Sequence, residues 1–289
     1  ESYWKQEIIN LPFDVVCIGE GEANIKNALK AVSEGVKNIV ISQKGKLIDL
    51  DILPLPARDL LDKEKYFKPG KTFGGNNRLK LSLANSSTIM TSRGCPYSCE
   101  FCASPFLHGR SVNFRNLDNV KKELAHLESE YGVKSLRWND DNIPLNFIKQ
   151  KGLEDFLQGS GIISRGSARI DHIYRKPETL ESLWNSGFRE IGYGVESADN
   201  QVLDTLDKGS SCEKSEYVIA KTKEVGIKTR VFFMSGLPGE TEDSGQRTID
   251  FLERTKPDVV AGGVGVWYAS ASPGNITGYS SGSGTSFSC

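Results

Sequence analysis

From residue 88 onward the chain repeats one pattern that leaves few folds open. Short apolar runs occur near residues 88–92, 133–138, 163–169, 188–195, 228–234 and 258–267. Between them lie helix-period segments near 116–130, 145–158, 177–185, 199–206 with 213–225, and 241–255. Six strands alternating with helices argue for parallel βα units, an α/β protein. Such units close into a full or partial barrel, or open into a doubly wound sheet, and periodicity alone does not choose.

The rest of the chain is organised differently. Phe13 to Ile18 is an apolar run ending at Gly19-Glu20-Gly21-Glu22, followed by a helical pattern on Ala23, Ile25, Ala28, Leu29 and Val32 and a second run from Val36 to Ile41. This reads as strand, helix, strand, one unit of a doubly wound sheet and too short to close its own core. We therefore expect residues 1–45 to be the tail end of a domain whose earlier strands are absent, and the lack of an initiator Met fits that expectation. Residues 46–87 read as a linker: Leu53-Pro54-Leu55-Pro56 blocks helix, and Gly70, Gly74, Gly75, Asn76 and Asn77 form a loop. The barrel-type core would span 88–270, and the Ser/Gly-rich residues 271–289 would form a disordered tail.

Composition excludes several classes. Of 289 residues, 38% are hydrophobic and 25% charged, which rules out wholesale disorder. A net charge of −1 gives no basic excess, so no nucleic-acid partner is expected. No run of eighteen apolar residues exists to span a membrane, and Glu1 to Gln6 has neither the basic start nor the apolar core of a signal peptide. Three of the six cysteines fall within eight residues, while Cys17, Cys212 and Cys289 are scattered. That spacing suits a metal-binding triplet in a reducing, cytoplasmic setting better than a disulfide framework.

The triplet is the motif that carries chemistry. Gly94 to Cys102 holds Cys95, Cys99 and Cys102 in the spacing C-x3-C-x2-C, directly after the first strand-like run. Three thiolates on a short loop can each bond a different iron of a cubane cluster and leave the fourth iron open. His108, six residues after Cys102, keeps a second reading available: a structural Cys3His zinc site in a non-enzymatic binding protein.

Cys95, Cys99 and Cys102, with Phe101 before the third cysteine, resemble the signature loop of the radical S-adenosylmethionine (radical SAM) superfamily. The resemblance continues in order along residues 88–270, through Trp138-Asn139-Asp140-Asp141-Asn142, then Gly192-Tyr193-Gly194-Val195-Glu196-Ser197, then Gly236-Leu237-Pro238-Gly239-Glu240-Thr241. It implies a partial (β/α)6 TIM-like barrel and a [4Fe–4S] cluster on the three cysteines. It also implies reductive cleavage of S-adenosylmethionine to methionine and a 5′-deoxyadenosyl radical.

The same resemblance places Phe101 beside the adenine. It makes Asp140, Asp141 and Glu196 acceptors for the methionine ammonium or ribose hydroxyls, Lys208 a partner for the methionine carboxylate, and Arg169 and Asp171 further contacts in the cleft. Against it, Asp140 and Asp141 also suit a helix cap, and Lys208 suits a solvated surface.

The N-terminal segment, with Asp51-Ile52-Leu53-Pro54-Leu55-Pro56-Ala57-Arg58-Asp59-Leu60, resembles the junction in cobalamin-binding members, where a Rossmann-like cobalamin domain meets the barrel. That subgroup implies a methyltransferase acting on an unactivated centre, with cyclisation and methylthiolation as other outcomes. Its implied partners are a small-molecule or peptide substrate and a reductant such as flavodoxin or ferredoxin. The usual lower-ligand motif D-x-H-x-x-G is absent, but some members bind cobalamin without that histidine; with the preceding strands missing, cobalamin is expected of a full-length parent rather than of this chain.

Overall fold

The computed structural model describes residues 13–42, 48–67, 85–102, 104–108, 110–264 and 286–287. Its strands are β1 (Val15–Ile18), β2 (Ile39–Ser42), β3 (Asn85–Ile89), β4 (Ser92–Arg93), β5 (Asn113–Phe114), β6 (Val133–Trp138), β7 (Ile163–Ala168), β8 (Phe188–Glu196), β9 (Lys228–Ser235), β10 (Val259–Val264) and β11 (Ser286–Phe287).

Strands β3, β6, β7, β8, β9 and β10 lie side by side in that order and all run parallel, with β11 antiparallel on the outer side of β10. This order chooses between the two architectures. A doubly wound sheet reverses its strand order at a switch point, whereas here every crossover lands on the next position, as in a barrel. Among the described residues β3 and β10 do not pair, so the run is a partial (β/α)6 barrel.

Local chemistry explains the elements. The helix Leu117–Tyr131 starts where the Asn116 side chain accepts from Asp118 N and stops at Gly132 in the left-handed region. Between those caps Val120, Leu124, Leu127 and Tyr131 recur at helical spacing, and all four are buried. They join Leu136, Trp138, Ile170, Leu183 and Phe188 in one core between sheet and helices. The Trp138 indole N–H finds a partner inside that core, the Ser164 hydroxyl at 3.0 Å.

Three local expectations differ from the structure. The first core strand begins at Asn85 rather than 88, because its register is carried by polar Ser86 and Ser87, both buried, which no apolar count detects. The segment 145–158 is two helices, Pro144–Lys149 and Leu153–Gln158, parted at Gly152 with φ +85°. A further helix, Ile170–Arg175, precedes the expected one at Thr179–Asn185. The loop expected around 70–77 lies outside the described residues, as does the expected tail apart from the two residues of β11.

Ahead of the barrel, β1 and β2 pair in parallel, joined by the helix Gly21–Ser33. The following segment makes short 3-10 turns at Leu50–Ile52 and Arg58–Leu60 and is pinned to the barrel by polar contacts. Arg58 is buried and donates to Glu123 Oε1 at 2.6 Å and to the Thr88 carbonyl at 2.9 Å. Arg115 takes the other oxygen of Glu123 and donates to the Met90 carbonyl at 2.9 Å. One buried carboxylate thus ties the Pro-rich segment, β3 and the first barrel helix together.

Candidate active site

The cysteine loop leaves the C-terminal end of β3, the end at which parallel βα folds gather their chemistry. Its take-off is held by Asp140, which follows β6. Asp140 is buried and accepts from Thr91 N at 3.0 Å, Thr91 Oγ1 at 2.8 Å, Ser92 Oγ at 2.7 Å and Asn146 Nδ2 at 3.0 Å, as well as from Ser92 N. Burial pushes its carboxyl above the usual range, opposed by these donors. Gly94 then turns the chain at φ +98°; a Cβ there would stand 2.4 Å from the Ser111 carbonyl oxygen, so only glycine fits. Within the loop Cys102 N donates to the Cys99 carbonyl at 3.0 Å, and Glu100 N reaches the Leu206 carbonyl at 3.3 Å.

Cys95, Cys99 and Cys102 line one cavity of about 190 Å³ together with Tyr97, Phe101, Ser104, Asp141, Arg169, Glu196 and Lys208. Cys95 and Cys99 are buried and Cys102 half-buried. Burial raises the Cys95 and Cys102 thiols above their ordinary range. Arg169 Nη1 lies 2.8 Å from Cys99 Sγ, its guanidinium stacks 3.8 Å above the Tyr97 ring, and Nη2 donates to the Lys208 carbonyl at 2.6 Å. Burial works against the Arg169 charge, but Cys99 and Asp171 outweigh it and hold the guanidinium above its usual value.

Opposite, Glu196 ends β8 with φ +67°, a left-handed conformation that is costly for a residue with a side chain. Its Oε1 accepts from Lys208 Nζ at 2.9 Å, and the same ammonium stands 5.1 Å from the Phe101 ring centroid. The pair exists because residue 194 is glycine: a Cβ there would fall 2.2 Å from Glu196 Oε1 and 2.9 Å from Lys208 Nζ.

The structure thus brings Phe101, Asp141, Arg169, Glu196 and Lys208 to the cysteines and keeps two of the expected residues off that cavity. Asp140 holds the strand-to-loop turn. Asp171 accepts from Arg169 Nε at 2.7 Å and orients that side chain. Lys208, suited by sequence to solvent, is only 6% exposed. Asp141 accepts from Ser104 Oγ at 2.9 Å. His108 does not line the cavity; its Nδ1 faces Glu20 Oε1 at 3.7 Å.

Sequence reasoning missed Tyr97 and Ser104, whose only signal was their place inside the loop. It also missed four charged residues on barrel strands, Arg137, Arg165, Glu190 and Arg230, whose signal was charge within otherwise apolar runs.

Comparisons with known proteins bear on the family and the fold. Residues 89–252 match the family model described as the Radical SAM superfamily. The chain is 28% identical over 263 residues to an uncharacterized methyltransferase of Pyrococcus horikoshii, covering 85% of this chain and 54% of that one. It is 30% identical over 193 residues to bacteriochlorophyllide d C-12(1)-methyltransferase of Chlorobaculum tepidum, covering 65% and 42%. The chain therefore spans about half the length of these relatives. Its fold is shared with the cobalamin-dependent S-adenosylmethionine radical enzyme OxsB with aqua-cobalamin bound, at TM-score 0.61 and 20% identity, over 86% of this chain and 37% of that one.

Proposed function

The chain belongs to the radical SAM superfamily of enzymes, and from that premise we propose that Cys95, Cys99 and Cys102 hold a [4Fe–4S] cluster serving a methyl transfer. The observation that carries this reading is one cavity shared by three thiols, a guanidinium and a buried Glu196–Lys208 pair. The donor set suits the group, because thiolates select iron–sulfur clusters. Among the described residues no three His, Cys, Asp or Glu side chains converge to hold a single ion, as the ligands of one zinc must. With an open iron, the cluster would supply the electron that cleaves the sulfonium of S-adenosylmethionine to methionine and a 5′-deoxyadenosyl radical.

The protein's own residues position that cosubstrate. Phe101 offers a flat apolar face for the adenine. Asp141 and Glu196 present carboxylate oxygens for the ammonium or the ribose hydroxyls, and Lys208 and Arg169 offer cations for the methionine carboxylate. Glu196 and Lys208 neutralise each other until a ligand divides them, which keeps two charges tolerable in a buried place. Asp140 and Asp171 act through their neighbours.

Methyl transfer is supported by the methyltransferase names of both sequence relatives, and cobalamin as its donor by the fold shared with OxsB. Cobalamin would sit on a fuller sheet of which β1 and β2 would be the last strands. The reading also takes a small-molecule substrate, a flavodoxin- or ferredoxin-type reductant and a cytoplasmic setting; no helix among the described residues is long and apolar enough to cross a membrane.

Anaerobic reconstitution tests it. The protein should take up about four irons with matching sulfide and absorb near ~400 nm, as a thiolate-held cubane does. Changing Cys95, Cys99 or Cys102 to Ala should abolish this, while Cys17→Ala and Cys212→Ala should not. Stoichiometric zinc without sulfide would overturn the reading.

A further inference from the structure

A second cavity, of about 590 Å³, opens beside the cysteine cavity and is within the size range of a small-molecule site. Asp141, Ser167, Gly192 and Phe232 line both, so the two spaces adjoin. The second is lined by Arg137 on β6, Arg165 on β7, Glu190 on β8 and Arg230 on β9, with Phe232 as its aromatic wall.

These charges sit in one row. Arg137 is in register with Arg165, and Arg165 with Glu190, so neighbouring strands present them to the same side. Arg230 is in register with Gly192, one step further on, where the missing side chain makes room for the Phe232 ring, 2.8 Å from where a Cβ would stand. Its Nε donates to Glu190 Oε1 at 2.8 Å, while Arg165 Nη1 shares the same oxygen at 3.2 Å.

Glu190 thus accepts from two guanidinium groups, those of Arg165 and Arg230. Among the described residues the Arg137 side chain makes neither hydrogen bond nor ion pair. Burial, and then the two neighbouring guanidiniums acting against the Glu190 carboxylate, bring Arg165 down to about 10. The other carboxylates of this space, Asp140 and Asp141, lie past the end of β6, at the cysteine side. Asp140 is fully engaged by the turn before the cysteine loop. The cavity is thus polar in layout, with cations on the barrel wall and carboxylates at the mouth shared with the cysteines.

We infer that this space binds the substrate of the proposed reaction, that the substrate is a small molecule bearing an oxyanion, and that Arg137 with Arg230 holds that oxyanion away from the cysteines. This rests on the functional reading above. Three forked guanidiniums favour an oxyanion, whose oxygens accept the parallel N–H bonds they offer. The orientation follows from the layout: the acid group sits on the arginines, and the carbon to be modified points to the mouth. Phe232, which lines both spaces, offers an apolar face to the rest of the molecule.

Binding of three probes to the cluster-loaded protein tests this by calorimetry: phenylphosphonate, benzoate and their uncharged counterpart benzamide. At least one of the anions should bind tenfold or more tightly than benzamide, weakening as salt is raised, and the tighter anion identifies the acid group. Arg137→Gln should reduce that binding at least tenfold, and Arg137→Lys should restore part of it, with iron content and melting temperature unchanged in both. Equal binding of all three probes would overturn the inference. So would a parallel loss of S-adenosylmethionine affinity in Arg137→Gln, because the arginines would then serve the methionine carboxylate. Iron and sulfide measured on the same samples judge the cluster separately, so either reading can fail alone.

Discussion

The barrel and the strand–helix–strand unit ahead of it are built from the same kinds of element, yet they are held by different forces. In the barrel, strands of up to nine residues are packed against helices, and Val120, Leu136, Phe188 and Ile191 are almost wholly buried. In the N-terminal unit the two strands have four residues each and are half-buried, and Ile25, Leu29 and Val32 of its helix are largely exposed, Leu29 by 62%. Its attachment is ionic. Arg93, next to the cysteine loop, meets Glu22 at 2.6 Å and Glu20 at 3.5 Å, and Glu20 also accepts from Ile48 N at 3.1 Å. The barrel is a core with polar rivets; the unit is a set of polar contacts with little core.

That contrast can be broken most forcefully at Glu123. Removing it strands the buried Arg58 guanidinium and the half-buried one of Arg115, and an uncompensated buried charge costs about 3–5 kcal/mol. Urea unfolding of Glu123→Ala should show that loss; a change under ~1 kcal/mol, the size of an exposed ion pair, would mean the linker is not riveted as described. Next in size is the cosubstrate pair. Glu196→Ala should weaken S-adenosylmethionine binding about ten- to a hundredfold, the worth of a charge-assisted hydrogen bond, without loss of iron. Unchanged affinity in an anaerobic titration would return Glu196 to a purely structural role.

The ionic attachment makes a smaller, pH-dependent prediction. The hydrogen bond from Arg93 is the main reason that the Glu22 carboxyl lies below its unfolded value of 4.5. Its contribution is therefore complete above pH 4.5 and is lost as pH falls through the lower folded value. Glu22 is partly exposed, so the pair is worth roughly 0.2–1 kcal/mol. Amide exchange across residues 21–33 should accelerate on acidification and in Glu22→Gln at neutral pH, with β6 to β8 unaffected. Uniform acceleration across both regions would mean that they open together. The smallest effect belongs to the exposed helix face: Leu29→Gln should change unfolding free energy by less than about 0.5 kcal/mol. Leu136→Ala in the barrel should cost about 2–5 kcal/mol.

The sequence made the barrel legible because the strand faces packed on the helices are apolar and the strands are regularly spaced. Strands β6 and β7 to β9 fall within a residue or so of the expected runs. Where polar residues carry a strand, as at Ser86 and Ser87, the pattern went silent. The site was legible where types cluster, at Cys95, Cys99 and Cys102, and at the Gly194–Glu196 element. It was opaque where the role depends on a distant partner. Nothing local separates Asp140, spent on the backbone of Thr91 and Ser92, from Asp141, which faces the cavity. Likewise, only the crossing of the chain brings Arg58 to Glu123, and only register aligns Arg137, Arg165 and Glu190.

The five donors on Asp140 bear on how the protein matures. In zinc-finger-like modules the metal supplies the free energy of folding, and the apo chain is a random coil. Here a carboxylate of the barrel fixes Thr91 and Ser92 just ahead of Gly94, and Asn146 closes the arrangement from the next helix. The entropy of placing the loop is met when the barrel folds. If the loop holds the proposed cluster, assembly and folding would be separate events: an apo form would persist as a folded intermediate, accept its inorganic partner late, and survive its loss to oxygen without unravelling.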